Sequence, residues 1–142
     1  MRLHASCAAR NRSAVLLLGP SGAGKSDLLL RLIDRGFDLV ADDQVEITDR
    51  MAAPPDRLAG LVEARGIGIL RFPFVAPAPV CLAVRLQKGE RLPTPCRYPA
   101  LDLPLITLDP WPASAPYLVE LALRAVTGDP QLKASFVEGA LA

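Results

Sequence analysis

Gly19-Pro20-Ser21-Gly22-Ala23-Gly24-Lys25-Ser26, or GPSGAGKS, lies between the apolar run Ala14-Val15-Leu16-Leu17-Leu18 and a leucine-rich stretch beginning at Leu28. Ala14–Leu18 is apolar at consecutive positions, which predicts a strand buried on both faces. After Ser26, Leu28, Leu29, Leu32 and Ile33 recur at helical spacing, Asp27, Arg31, Asp34 and Arg35 supply a polar face, and Gly36 marks the stop. The octapeptide therefore sits in a strand–loop–helix unit and satisfies GxxxxGK[ST] in the context that gives this pattern meaning. Its glycines let successive backbone N–H groups turn inward without Cβ obstruction, and the positive end of the following helix completes a cradle for phosphate oxygens. Gly19, Pro20, Ser21, Gly22, Ala23, Gly24, Lys25 and Ser26 are the expected nucleotide contacts. Lys25 reaches the β and γ phosphates, and the Ser26 hydroxyl supplies an oxygen to Mg²⁺.

A phosphate loop is shared by motors, switches and kinases, so the chemistry needs a second group. Phe37-Asp38-Leu39-Val40-Ala41 reads as the next strand and delivers Asp42-Asp43 at its carboxyl end. In phosphoryl transfer one carboxylate binds the metal and another accepts the proton of an attacking hydroxyl. Adjacent residues of a strand point to opposite faces, so a break in the strand at this point lets the two carboxylates serve different partners. Val45 and Ile47 alternate with Glu46 and Thr48, which predicts a further extended segment.

The rest of the chain bounds the problem. Its 142 residues, 51% hydrophobic and 22% charged, suit one globular domain spanning 1–142. The formal charge is +1, and no basic or acidic block suggests a nucleic-acid arm or a charged tail. No apolar run approaches a membrane span, and Cys7, Cys81 and Cys96 form no CxxC pair, so a reducing cytoplasm is the expected compartment. Ten of the fourteen prolines fall between Pro73 and Pro116, which predicts a second half of short extended pieces and loops, with Val80–Leu86 as a strand. Pro116 opens a predicted closing helix whose apolar face is Leu118, Val119, Leu121, Ala122, Ala125 and Val126, and a short tail helix is expected after Thr127-Gly128-Asp129-Pro130.

His4 ahead of the predicted first strand, GPSGAGKS, Leu39-Val40-Ala41-Asp42-Asp43 and Glu63-Ala64-Arg65-Gly66-Ile67-Gly68-Ile69 together resemble the catalytic domain of the HPr kinase/phosphorylase family. The resemblance spans Met1 to about Leu86. It implies an α/β phosphate-loop fold with a mixed sheet, akin to that of phosphoenolpyruvate carboxykinase, and a short form without the separate N-terminal domain of many members. It further implies an ATP- and Mg²⁺-dependent kinase acting on a serine of the phosphocarrier HPr, or of its nitrogen-related counterpart, and assembly as a homo-oligomer, hexameric in the family. Carried over by position, Asp42 is the general base, Ser26, Asp43 and Glu63 surround Mg²⁺, His4 and Lys25 assist at the transferring phosphate, and Arg65 binds a phosphate or a partner carboxylate. Where the family carries an arginine in a Pro-Gly-Arg-Asn-like segment, this chain reads Trp111-Pro112-Ala113-Ser114-Ala115, and Leu123–Ala142 has no recognisable counterpart. The kinase direction is thus implied more strongly than reverse phosphorolysis. A kinase of a small molecule and a nucleotide-binding regulatory module without catalysis are the alternative readings.

Overall fold

The computed structural model describes residues 1–89, 91–92 and 94–132. The chain forms β1 (Arg2–Leu3), β2 (Ala5–Arg10), β3 (Ser13–Leu18), α1 (Lys25–Asp34), β4 (Asp38–Ala41), β5 (Val45–Thr48), β6 (Met51–Ala53), a 3₁₀ turn (Asp56–Leu58), β7 (Leu61–Ala64), β8 (Gly68–Arg71), β9 (Ala78–Leu86), β10 (Arg97–Tyr98), β11 (Leu103–Leu108) and α2 (Ala115–Val126). The expected tail helix falls largely outside the described residues.

The fold is α/β with a mixed sheet. Its strand order is β1-β5-β6-β9-β3-β2-β4, with β11 parallel to β9 and β10 antiparallel to β11. β3 and β9 run parallel with Leu16 opposite Ala83 and Leu17 opposite Val84, so the strand that feeds the loop is flanked on both sides. Val15 and Leu17 face one way, toward Leu28, Leu29 and Leu32 of α1 and Val119, Ala122 and Leu123 of α2. Ala14 and Leu16 face the other way, among Cys7, Val40, Val45 and Val80, with Leu101 and Leu103 closing that side. Every residue from Ala14 to Leu17 is fully buried, which is why the run carries no polar alternation.

The strand Ala14–Leu18 expected to come first is in fact preceded by β1 and β2. β2 pairs antiparallel with β3 through a tight turn in which Asn11 and Arg12 have φ of 51° and 67°, a two-residue geometry whose twist matches that of the flanking strands. The composition of β2, Ala-Ser-Cys-Ala-Ala-Arg, conceals it: small residues carry little strand preference but let α1 pack closely across the strand. In the proline-rich half, β9 is a nine-residue strand, longer than expected, and β11 holds Pro104 beyond the segment that pairs with β9. α2 begins as expected, with Pro116 in its first turn, but Leu118 is 42% exposed and the buried face is Ala115, Pro116, Val119, Ala122 and Leu123.

Candidate functional site

The loop leaves β3 at Gly19 and closes on α1. The Ala23 N–H donates to the Pro20 carbonyl at 3.1 Å, and Gly24 adopts φ of 100° immediately before the first helical residue, Lys25. A left-handed conformation strains any residue with a Cβ. At Gly24 space is tight as well, since an added Cβ would lie 3.1 Å from Trp111 Cη2 and 3.2 Å from Pro110 Cγ and would push them back by a few tenths of an ångström. The Leu28 N–H is the first to bond back into the helix, to the Gly24 carbonyl at 2.9 Å. The amides before it are the free donors that a helix start presents to an anion. Lys25 is buried, and its Nζ donates to the Gly19 and Pro20 carbonyls at 2.6 and 3.0 Å. Burial holds its ammonium below the ordinary lysine range, while Asp43 and Asp42 pull it back.

The two aspartates part company at the end of β4. Ala41 is the last strand residue, and Asp43 has φ of 67°, with the Gln44 N–H donating to the Asp42 carbonyl at 2.7 Å. This tight turn sends successive side chains to different places. Asp42 is buried and takes the Ser26 hydroxyl at 2.8 Å, the Ser6 hydroxyl at 2.7 Å and the Glu63 N–H at 3.4 Å. Asp43 remains exposed, and its Oδ1 meets His4 Nε2 at 2.8 Å. A non-glycine residue in this conformation stores strain that is characteristically found at functional sites.

The hairpin β7–β8 supplies the opposite wall. Its register sets Glu63 against Ile69 and Ala64 against Gly68, with a three-residue tip at Arg65-Gly66-Ile67. Val62 and Ala64 turn inward, Val62 into the α1-side core, so Glu63 and Arg65 are left facing out. His4, Lys25, Ser26, Asp43, Glu63 and Arg65 thereby border one cleft of about 470 Å³, together with Ser21, Gly22, Gly24, Asp27, Leu30 and Trp111. Residues from β7, α1, the loop before it, the segments between β1 and β2 and after β4, and the segment before α2 meet there, although they are scattered from position 4 to position 111 of the chain.

Of the expected site residues, Gly19, Pro20 and Ala23 of the loop and Asp42 do not border this cleft, whereas the others do. Asp42, expected to be the proton acceptor, is not on its surface; both its oxygens accept from Ser26, at 2.8 and 3.0 Å. Asp43, expected beside the metal, is the carboxylate open to an incoming group. Ser6 escaped the sequence reading; its only signal was a lone hydroxyl among small residues, and it is fully buried against Asp42. Trp111 stands in the segment where the family's arginine is missing, and it lies on the loop itself, against Gly24. Among the described residues no three His, Cys, Asp or Glu side chains form a self-sufficient metal cage. The hydroxyl of Ser26 with one carboxylate does fit Mg²⁺, which draws its remaining ligands from phosphate oxygens and water.

Comparison with known proteins agrees with this architecture. The family model described as the HPr serine kinase C-terminal domain matches residues 1–75. The HPr kinase/phosphorylases of Xylella fastidiosa (strain M12) and Stenotrophomonas maltophilia (strain K279a) are each 38% identical over 137 residues, and that of Xanthomonas campestris pv. campestris (strain B100) is 37% identical. In each case the match covers 78% of this chain and 43% of the relative, so the chain spans less than half the length of these proteins. The structure of the Hpr(Ser) kinase/phosphatase from Coxiella burnetii superposes with a TM-score of 0.74 at 28% identity, over 87% of this chain and 88% of that one. With the phosphate loop, the paired aspartates and the β7–β8 hairpin all in place, the chain belongs to the HPr serine kinase C-terminal domain family.

Proposed function

We propose that this chain transfers the terminal phosphoryl group of ATP to a serine hydroxyl of HPr or its nitrogen-related counterpart. The observation that carries the reading is the convergence of Lys25, Ser26, Asp43, His4 and Glu63 on one cleft above the loop. The loop amides and Lys25 hold the phosphates and stabilise charge on the equatorial oxygens as it spreads in the transition state. Bound Mg²⁺ would supply further neutralisation of that charge; Ser26, with Asp42 behind it and Glu63 across the cleft, would hold it.

Asp43 takes the acceptor proton in this reading, in place of Asp42. Its carboxylate is exposed at the cleft and oriented by His4, whereas Asp42 is committed to Ser26 and Ser6. As the serine Oγ–P bond forms and the bond from phosphorus to ADP breaks, the hydroxyl proton passes to Asp43 Oδ. Arg65, at the hairpin tip, faces the same opening and is placed for a phosphate or a carboxylate of the protein substrate. Self-association belongs to the same proposal and is supported by Ile67 and Ile69, which stand 77% and 70% exposed on the hairpin.

Incubation with γ-labelled ATP, Mg²⁺ and purified HPr tests the reading. Label is expected on an HPr serine, and Asp43→Asn is expected to abolish its appearance while leaving ADP binding intact. ADP release driven by a metabolite without HPr would favour the small-molecule kinase. Tight nucleotide binding with no transfer to any acceptor would favour the regulatory module.

A further inference from the structure

Trp111 is the sole tryptophan of the chain and is 62% exposed, although an indole is among the side chains with most to gain from burial. It is nevertheless held in place. Prolines flank it on both sides, its backbone N–H donates to Asp109 Oδ1 at 3.1 Å, and the Arg31 guanidinium of α1 donates to the Pro110 carbonyl and, at 3.2 Å, to the Pro112 carbonyl. Arg31 is in turn fixed by Asp27 at 2.9 Å. The six-membered edge of the indole rests on Gly24, whose missing Cβ is what lets the ring approach the loop. The remaining surface of the ring borders the same cleft as Lys25, Ser26 and Leu30, and among the described residues no other Phe, Tyr or Trp does so.

An open ring whose backbone is already fixed and whose edge lies on Gly24 has less freedom left to lose when a flat partner binds, which lowers the entropic cost. We infer that Trp111 is the stacking platform for the nucleobase of the nucleotide whose phosphates the loop holds, with Leu30 as an apolar flank. The inference rests on the phosphate-loop reading above and adds the part of the ligand that reading leaves unplaced. Base–aromatic stacking is strong enough to detect, since its removal weakens binding by about 5- to 150-fold.

Calorimetry with Mg-ADP and with inorganic tripolyphosphate, on wild type, Trp111→Ala and Trp111→Phe, separates the possibilities, and thermal melting checks that each variant is folded. Trp111→Ala is expected to weaken ADP by the factor above and leave tripolyphosphate affinity unchanged, with Trp111→Phe retaining most of the ADP affinity. ADP, but not tripolyphosphate, is expected to quench the wild-type tryptophan fluorescence, which reports this one residue. ADP affinity unchanged in Trp111→Ala overturns the inference, as does an equal loss for both ligands, which would make the ring a brace for the loop. Wild-type protein that binds neither ligand overturns the phosphate-loop reading itself.

Discussion

Replacing Asp42 by Ala and Asp43 by Asn separates two adjacent carboxylates by their energetic roles. Asp42 accepts hydroxyl bonds from Ser6 and Ser26 in a buried setting. Removing it leaves the Ser6 hydroxyl, fully buried, without its acceptor, while the half-buried Ser26 can turn to water. Hydrogen bonds to a charged group contribute about 1.5–3 kcal/mol each, and an orphaned buried hydroxyl costs about 1–3 kcal/mol. Desolvation of the carboxylate itself offsets part of this, so a net loss of about 2–4 kcal/mol is expected for Asp42→Ala. For a chain of this length that lowers the melting temperature by roughly 10 °C. The Asp43–His4 contact joins side chains 63% and 49% exposed, worth about 1 kcal/mol or less. Asparagine also tolerates the positive φ at this position, so Asp43→Asn is expected to melt within a few degrees of wild type. Activity inverts the order of interest: Asp43→Asn loses about 10²- to 10⁴-fold in transfer rate at unchanged ADP affinity, whereas Asp42→Ala weakens Mg²⁺-dependent nucleotide binding. Calorimetric melting and labelled-ATP transfer to HPr read both. Equal melting temperatures for the two variants, or wild-type transfer by Asp43→Asn, would refute the division of labour.

Lys25, held below its ordinary value of 10.5 chiefly by burial, yields two opposite pH trends. Its folded pKa lies under its unfolded one, so between the two the unfolded chain binds more protons and the Lys25 contribution to stability rises with pH. Phosphate affinity falls across the same window as the ammonium is lost. Urea midpoints and ADP titrations against pH, compared with Lys25→Met, are expected to show both slopes vanish in the variant. Gly24→Ala, strained by φ of 100° and crowded by Trp111 and Pro110, is expected to lose about 1–2 kcal/mol and to abolish ADP binding, as melting and calorimetry would report. Cys7 is fully buried and its thiol is pushed far up by desolvation, whereas Cys96 is exposed. Mass spectrometry after brief alkylation of native protein should find Cys96 modified, and Cys7 only after denaturant is added.

The strand, loop and first helix were legible because their signals are local: an unbroken apolar run, glycines where the backbone must turn, and apolar positions at helical spacing. Leu28, Leu29 and Leu32 are all fully buried, as their spacing implied. β2 was not legible, because its small residues answer to the close approach of α1, a neighbour reached only through the fold. Leu118 shows the same limit at the level of one side chain: helical periodicity grouped it with Val119 and Ala122, but packing against β9 buries those two together with Leu123 and leaves Leu118 exposed.

In the site, the chain order alone established that a phosphate loop is followed, one helix later, by two carboxylates at a strand end. It was silent on which carboxylate does which task. That depends on a turn at Asp43 and on Ser6 and Ser26 arriving from other elements to occupy Asp42. Likewise Trp111 carries no local mark of function; only the return of the chain through β9 and β11 sets it on Gly24. Backbone preference acts over a few neighbouring residues and survives in a linear reading. Hydrogen-bond commitment and close approach join groups distant along the chain and come into being only when the layers pack.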